Sequence, residues 1–274
     1  NAGIYKIFDE IITNSADECQ RNKLVKTIKV SISDDTISVM NDGTGIPIVI
    51  HKEHKIYVPE LIFGNLLSSS NYDDSKKRTT GGLNGLGAKL TNIYSTEFTI
   101  ETVSDGQKYI QIFRDNMSII EKPKITKSSS KEYTKISFIP DFKKFGLKKL
   151  DQYDTLQILN KRVFDIAAIT KKHISIYYND TKINCKDFSE YISLYIGPKS
   201  SNPRVYYEDS NWEVGIALTT NDSFQQVSFV NGISTTDGGS HIDHVILPIM
   251  KKCTDEIQSK HKNITVKQQY VKDS

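Results

Sequence analysis

Apolar and polar positions recur along this chain with two periods, and the periods divide it into elements. Ile4, Ile7, Phe8, Ile11 and Ile12 fall at i, i+3, i+4, i+7 and i+8, one apolar stripe along a helix. Ile28, Val30 and Ile32 then alternate with Lys29 and Ser31, as in a half-buried strand. Ser33-Asp34-Asp35-Thr36 is a turn cluster, and Ile37 and Val39 belong to the returning strand. Residues 98–103, 109–113, 136–140 and 174–178 read as further strands, and 150–170 as a helix. Gly197-Pro198-Lys199-Ser200-Ser201-Asn202-Pro203 is the best linker. After it, strands are expected near 205–207, 212–219 and 226–230. Ile242, Val245, Ile246, Ile249, Met250, Cys253 and Ile257 share one face of a last helix, at whose start Ser240 and Asp243 have the spacing of a capping box. Thr265-Val266-Lys267 is expected to begin one more strand and complete a strand–helix–strand unit.

Composition narrows the class. The 274 residues suffice for about two domains with their own cores. A content of 37% hydrophobic and 25% charged residues is that of an ordinary globular chain and argues against disorder. Lys and Arg number 36 against 33 Asp and Glu, a net +3, so no basic coat for nucleic acid or membrane exists and any DNA contact must come from a local patch. Cys19, Cys185 and Cys253 form no CxxC pair, which excludes a zinc site of the usual spacing and leaves buried free thiols in a reducing compartment as the expectation. The six histidines make no His-x-x-x-His or His-Glu pairing; His241 and His244 are expected to cap or pack. No apolar run approaches the roughly 20 residues of a membrane span, and no secretory leader is expected. The chain opens at Asn1 inside a helical pattern, so an internal fragment is expected.

Three constellations carry candidate chemistry. On the first helix Glu10 and Asn14 are four apart and share a face distinct from the Ile/Phe stripe, with Asp17 three further on. There a carboxylate can polarise a water and a carboxamide oxygen can bind a hard cation, although a solvated polar helix face has the same pattern. Asn41-Asp42-Gly43-Thr44-Gly45 follows a strand, and its glycines allow backbone to approach a flat ligand. Gly82-Leu83-Asn84-Gly85-Leu86-Gly87-Ala88-Lys89 opens a helix, where backbone amides and a lysine can cradle phosphate. This run is not a Walker A sequence and not a convincing dinucleotide fingerprint.

In this order the three constellations resemble the ATPase superfamily of gyrase, heat-shock chaperone, histidine kinase and MutL. Ile7-Phe8-Asp9-Glu10-Ile11, Ser69-Ser70-Asn71-Tyr72-Asp73-Asp74, the glycine run with Asn92-Ile93-Tyr94-Ser95, and residues 228–241 narrow the resemblance to the ATPase region of eukaryotic-type topoisomerase II. The resemblance implies that Glu10 is the general base, Asn14 the Mg²⁺ ligand and Asn41 the acceptor from adenine, with Gly43 and Gly45 beside it. It further implies that Ser69, Ser70 and Asn71 contact ribose and phosphate, and that Gly82, Leu83, Asn84, Gly85, Leu86, Gly87, Ala88 and Lys89 form a lid over the triphosphate. The cellular enzymes usually carry Arg at Leu83 and Tyr at Leu86, and the second-domain Gln-Thr-Lys loop of the family does not occur here. A lysine-rich stretch of the family that touches DNA matches Lys260 and Lys262.

The expected fold is α+β. Residues 1–198 would form an ATP-binding α/β sandwich with helices on one face of a mixed sheet, and 199–274 a partial transducer domain with some apolar surface uncovered. The expected function is the Mg-ATP-hydrolysing module of a type II DNA topoisomerase, a homodimer acting on double-stranded DNA, without membrane association. Its setting would be intracellular: nuclear in a cell, or cytoplasmic if from a large DNA virus. The alternative is a nucleotide-gated dimerisation module without turnover. A chaperone-type or mismatch-repair ATPase is disfavoured by residues 229–240 and the Ser-Ser-Asn-Tyr-Asp-Asp loop.

Overall fold

The structure is a computed structural model that describes residues 1–65, 86–150, 153–219 and 221–274. The chain divides into two compact units, Asn1–Tyr191 and Ile192–Ser274.

The first unit opens with helix α1 (Ala2–Arg21), capped by the Asn1 side chain, which accepts from the amides of Gly3 and Ile4. Its stripe of Ile4, Ile7, Phe8, Ile11 and Ile12 is buried. Strands β1 (Thr27–Ile32) and β2 (Ile37–Asp42) form the expected hairpin. Helices α2 (Val58–Gly64) and α3 (Gly87–Ile93) follow, then β3 (Ser95–Ser104), β4 (Gln107–Arg114), β5 (Ile119–Ile120), β6 (Lys124–Lys127) and β7 (Tyr133–Pro140). Helix α4 (Tyr153–Ile169), β8 (Ser175–Tyr178) and β9 (Thr181–Lys182) lead to α5 (Phe188–Ile196), within which the division between the units falls.

The strands join one sheet in the order β5-β4-β3-β7-β2-β1-β8-β9, with β6 beside β4. The pairing of β1 with β8 is parallel and the others are antiparallel, so the sheet is mixed. Burial alternates along β1, β2, β4 and β7, the mark of one packed and one open face. Helices α1, α3 and α4 pack on β2, β3 and β8 respectively. Phe98 is the hub of the core: its ring lies 5.9 Å from Phe63, 6.2 Å from Phe113 and 6.5 Å from Phe138.

The second unit holds the hairpin β10 (Arg204–Glu208) with β11 (Glu213–Ala217), the short pair β12 (Phe229–Val230) and β13 (Ile233–Ser234), and helices α6 (Ser240–Lys260) and α7 (Gln268–Lys272). Three sequence expectations are corrected here. Ser240 is the first residue of α6 and Gly239 its cap, with no side-chain capping bond, so there is no capping box. Residues 265–267 form no strand. Instead the Gln258 side chain accepts from the Val266 amide and donates to the Ile264 carbonyl, meeting backbone needs a strand partner would have met. Cys253 is exposed, whereas Cys19 and Cys185 are buried. His241 bonds the hydroxyls of Thr235 and Ser228, and His244 stacks on Trp212 at 5.6 Å, both structural roles. Val205, Tyr207, Leu218 and Leu247 are exposed.

Candidate functional site

Helices α1 and α3 of the first unit meet at Glu10, and the Asn41–Gly45 turn lies against the C-terminal end of α1, where Thr44 meets Asn22. The register of α1 is fixed by the residue before it. Asp9 is buried and accepts from Arg162 Nε of α4 at 2.6 Å, and Thr13 Oγ1 donates to the same carboxylate oxygen. With Asp9 turned inward, Glu10 faces outward from the stripe and stays half-buried. Lys6, one turn earlier, holds Glu10 Oε1 at 2.7 Å. Asn14, one turn later on the same face, is exposed. Asp17, a turn further along this face, is buried.

Helix α3 brings the end of the glycine run to this face. Thr91 Oγ1 donates to the Ile7 carbonyl at 3.0 Å and approaches the Gly87 carbonyl at 3.2 Å, tying the two helices. Asn92 Nδ2 donates to the Phe63 carbonyl of α2. As a result, a Cβ placed on Gly87 would lie 1.7 Å from Glu10 Oε2. The Glu10 carboxylate therefore packs against bare backbone. Leu86 precedes α3 and is half-buried, and Ala88 is buried. Lys89 is buried as well, and burial lowers its ammonium pKa to about 8.

The Asn41–Gly45 turn stands at the end of β2. Asn41 is buried, and its Nδ2 donates to the Asp42 carbonyl, which turns Oδ1 into the acceptor on offer. Asp42 Oδ1 accepts the amides of Lys26 and Thr27 and so serves the turn itself. Gly45 has φ +66°, and a Cβ there would meet the Val103 carbonyl at 2.1 Å. No side chain fits so close to backbone. The buried Thr102 completes the fixation: its hydroxyl accepts the Ile46 amide at 2.9 Å and donates to the Tyr133 carbonyl at 2.8 Å.

The structure thus brings Glu10, Asn14, Leu86, Gly87, Ala88 and Lys89 onto or beside the α1–α3 pair, and it places Asn41, Gly43 and Gly45 at the end of β2. Ser69, Ser70, Asn71, Gly82, Leu83, Asn84 and Gly85 lie outside the described residues. Lys260, at the end of α6, is exposed and pairs with Glu256 at 2.8 Å, and Lys262 is exposed beyond it. Sequence reasoning missed Arg162, Thr91 and Thr102. Each acts through a contact remote in sequence, and a lone buried Arg or Thr leaves no periodic signal.

Comparison with known proteins gives the family. The family described as histidine kinase-, DNA gyrase B-, and HSP90-like ATPase matches residues 1–143, and DNA gyrase B matches 166–274. The ATPase region of Saccharomyces cerevisiae topoisomerase II superposes with a TM-score of 0.89 at 45% identity, over 98% of this chain and 70% of that one. The chain belongs to the topoisomerase II ATPase family. A probable DNA topoisomerase 2 of Dictyostelium discoideum is 48% identical over 95% of the chain, and the DNA topoisomerase 2 of Acanthamoeba polyphaga mimivirus is 47% identical over 99%. The chain spans 17% and 22% of those two relatives. These similarities favour a topoisomerase II ATP-binding module over a bare dimerisation switch. Among the described residues no helix is long and apolar enough to cross a membrane.

Proposed function

We propose that this chain is the part of a type II DNA topoisomerase that binds and hydrolyses ATP, with residues 1–198 as the ATP-binding domain and 199–274 as a partial transducer. The observation that carries the proposal is the Glu10 carboxylate lying against Gly87 at the start of α3. Gly87 puts backbone, with no side chain between, beside the carboxylate, and backbone amides at a helix start are the groups that hold phosphate.

In this reading Glu10 takes the proton from the water that attacks the γ-phosphate. Thr91 keeps Gly87 near it, and the Asp9–Arg162 pair keeps α1 in register. Asn41 accepts from the adenine amino group through Oδ1, with the Gly43 and Gly45 backbone against the ring. Ser69, Ser70 and Asn71 contact ribose and phosphate, and residues 82–89 supply lid amides. The residues fit Mg²⁺, because Asn14 is exposed on the face of Glu10 and a hard cation accepts a carboxamide oxygen. When bound, Mg²⁺ offsets phosphate charge. The full enzyme would couple nucleotide binding to closure of a homodimer and to passage of double-stranded DNA, with Lys260 and Lys262 touching the duplex. Its site of action would be inside the cell: the nucleus in a cellular host, or the cytoplasm for a viral enzyme.

The decisive test is calorimetric titration of a non-hydrolysable ATP analogue with and without Mg²⁺. Mg²⁺-dependent binding that is lost in Asn14→Ala is expected. In the full-length enzyme Glu10→Gln should bind the analogue but turn over about 10²–10⁴ times more slowly. Unchanged turnover would remove Glu10 as the base. Lys260→Glu with Lys262→Glu should abolish DNA stimulation of turnover, and unaltered stimulation would remove those lysines from the DNA contact.

A further inference from the structure

A second cluster of ligating side chains lies in the segment between the Asn41–Gly45 turn and α2. Its spacing, His51-Lys52-Glu53-His54, is neither His-x-x-x-His nor His-Glu. A tight turn brings the three side chains together. Ile50 bridges Tyr57, the His51 amide donates to the Ile56 carbonyl at 2.7 Å, and the Lys55 amide donates to the His51 carbonyl at 3.0 Å. Lys55 closes the turn with φ +57°. The amides of Glu53 and His54 donate to His51 Nδ1 at 3.3 and 3.4 Å, orienting that ring. The His51 and His54 rings then lie 5.0 Å apart, and one ligand atom from each of His51, Glu53 and His54 lies within 4.8 Å of the others.

We propose that this turn binds a divalent transition-metal ion of the imidazole-preferring class, through His51, Glu53 and His54, with water completing the coordination. Two imidazoles and one carboxylate are a donor set for Zn²⁺, Ni²⁺ or Cu²⁺ and not for Mg²⁺ or Ca²⁺, which take oxygen. Lys52 and Lys55, exposed on the same turn, reinforce that choice. They outweigh the single Glu53 charge, so ligand-bond strength must hold the ion instead of net negative charge. Metal–ligand bonds of about 2.0–2.2 Å require ligand atoms roughly 3.3 Å apart in a tetrahedron. Rotamer changes at the exposed Glu53 and His54 supply the closure while the turn backbone stays in place. Bound metal would staple residues 51–54 and stiffen the connection that leads into α2.

The test titrates Zn²⁺ alone, without nucleotide, into the whole chain against a chromophoric chelator. The variants are His54→Ala and Glu53→Gln, with His261→Ala and Cys253→Ser as controls at other exposed donors. One saturable micromolar site is expected in the wild type and in both controls. His54→Ala should weaken it at least as much as the roughly 10–100-fold that loss of an outer-shell partner costs, and Zn²⁺ should raise the thermal midpoint of the wild type and both controls but not of His54→Ala. Wild-type affinity in His54→Ala and Glu53→Gln, no saturation by millimolar Zn²⁺, or loss of the site in Cys253→Ser would each overturn the proposal. The readout involves neither ATP nor turnover, so its failure leaves the ATPase reading intact, and the reverse also holds.

Discussion

The Glu10 carboxylate fills the space that a side chain at Gly87 would need: a Cβ there would lie 1.7 Å from Oε2, 2.3 Å from Cδ and 2.9 Å from Cγ. An alanine can be admitted only by swinging Glu10 aside. Gly87→Ala should therefore keep the fold, seen as an unchanged circular dichroism melt, yet lower ATP turnover of the full-length enzyme by about 10²-fold, the scale of a catalytic group misplaced by an ångström. Equal turnover in wild type and Gly87→Ala would show that this contact does not position Glu10 for the proposed proton transfer.

The Asp9–Arg162 pair is a matter of stability first. Arg162 is fully buried, Asp9 is 6% exposed, and Thr13 bonds both, with Arg162 Nη2 donating to its hydroxyl at 3.2 Å. Burial and the Asp9 charge also push the neighbouring Tyr5 hydroxyl up to about 12. Arg162→Met strips Asp9 of its guanidinium and should cost about 3–5 kcal/mol in urea unfolding, with Arg162→Met plus Asp9→Asn recovering part of the loss. A single-variant loss below about 1 kcal/mol would mean that water or a shifted side chain replaces the arginine.

Lys89 gives the protein a pH dependence of known sign. Burial lowers its pKa from 10.5 to about 8. Between about pH 8 and the ordinary lysine value, the unfolded chain keeps this proton and the folded chain does not, so the Lys89 contribution to stability rises with pH across that window. Below it, the folded state carries a buried charge. Lys89→Met should thus be more stable than wild type near neutral pH, with the advantage shrinking toward pH 10. A difference between the two that stays flat with pH would contradict the assignment.

Burial pushes the thiols of Cys19 and Cys185 up to about 12 and 11, while Cys253 is exposed. Since the thiolate is the reacting form, iodoacetamide should label one cysteine in the native protein and three after denaturation. Native labelling of Cys19 at the Cys253 rate would show that α1 opens locally.

The α1 stripe, the β1–β2 hairpin and strands β3, β4, β7 and β8 were readable from the chain, because each buries one face and so imposes period 3.6 or 2 on neighbouring residues. The last long helix was readable from its 3.6 period although Met250 alone of its stripe is buried, and the short strands β5, β6 and β9 were not read. The same local logic made Glu10 and Asn14 share a helix face and put Asn41 and its glycines after a strand. Reading stopped where the deciding partner is far along the chain. Arg162 reaches Asp9 across 153 positions, Thr91 reaches Ile7 across 84, and Thr102 holds Ile46 across 56. It also failed where a side chain did the work of a backbone partner, as Gln258 does in bonding residues 264 and 266 where a strand was expected, and at the start of α6, which Gly239 caps without a side-chain bond. Sequence alone determined which residues could carry the chemistry, since periodicity is a property of neighbours. Tertiary structure decided that Glu10 meets Gly87 and that Lys89 is buried, since close approach and burial depend on packing between elements that no local pattern encodes.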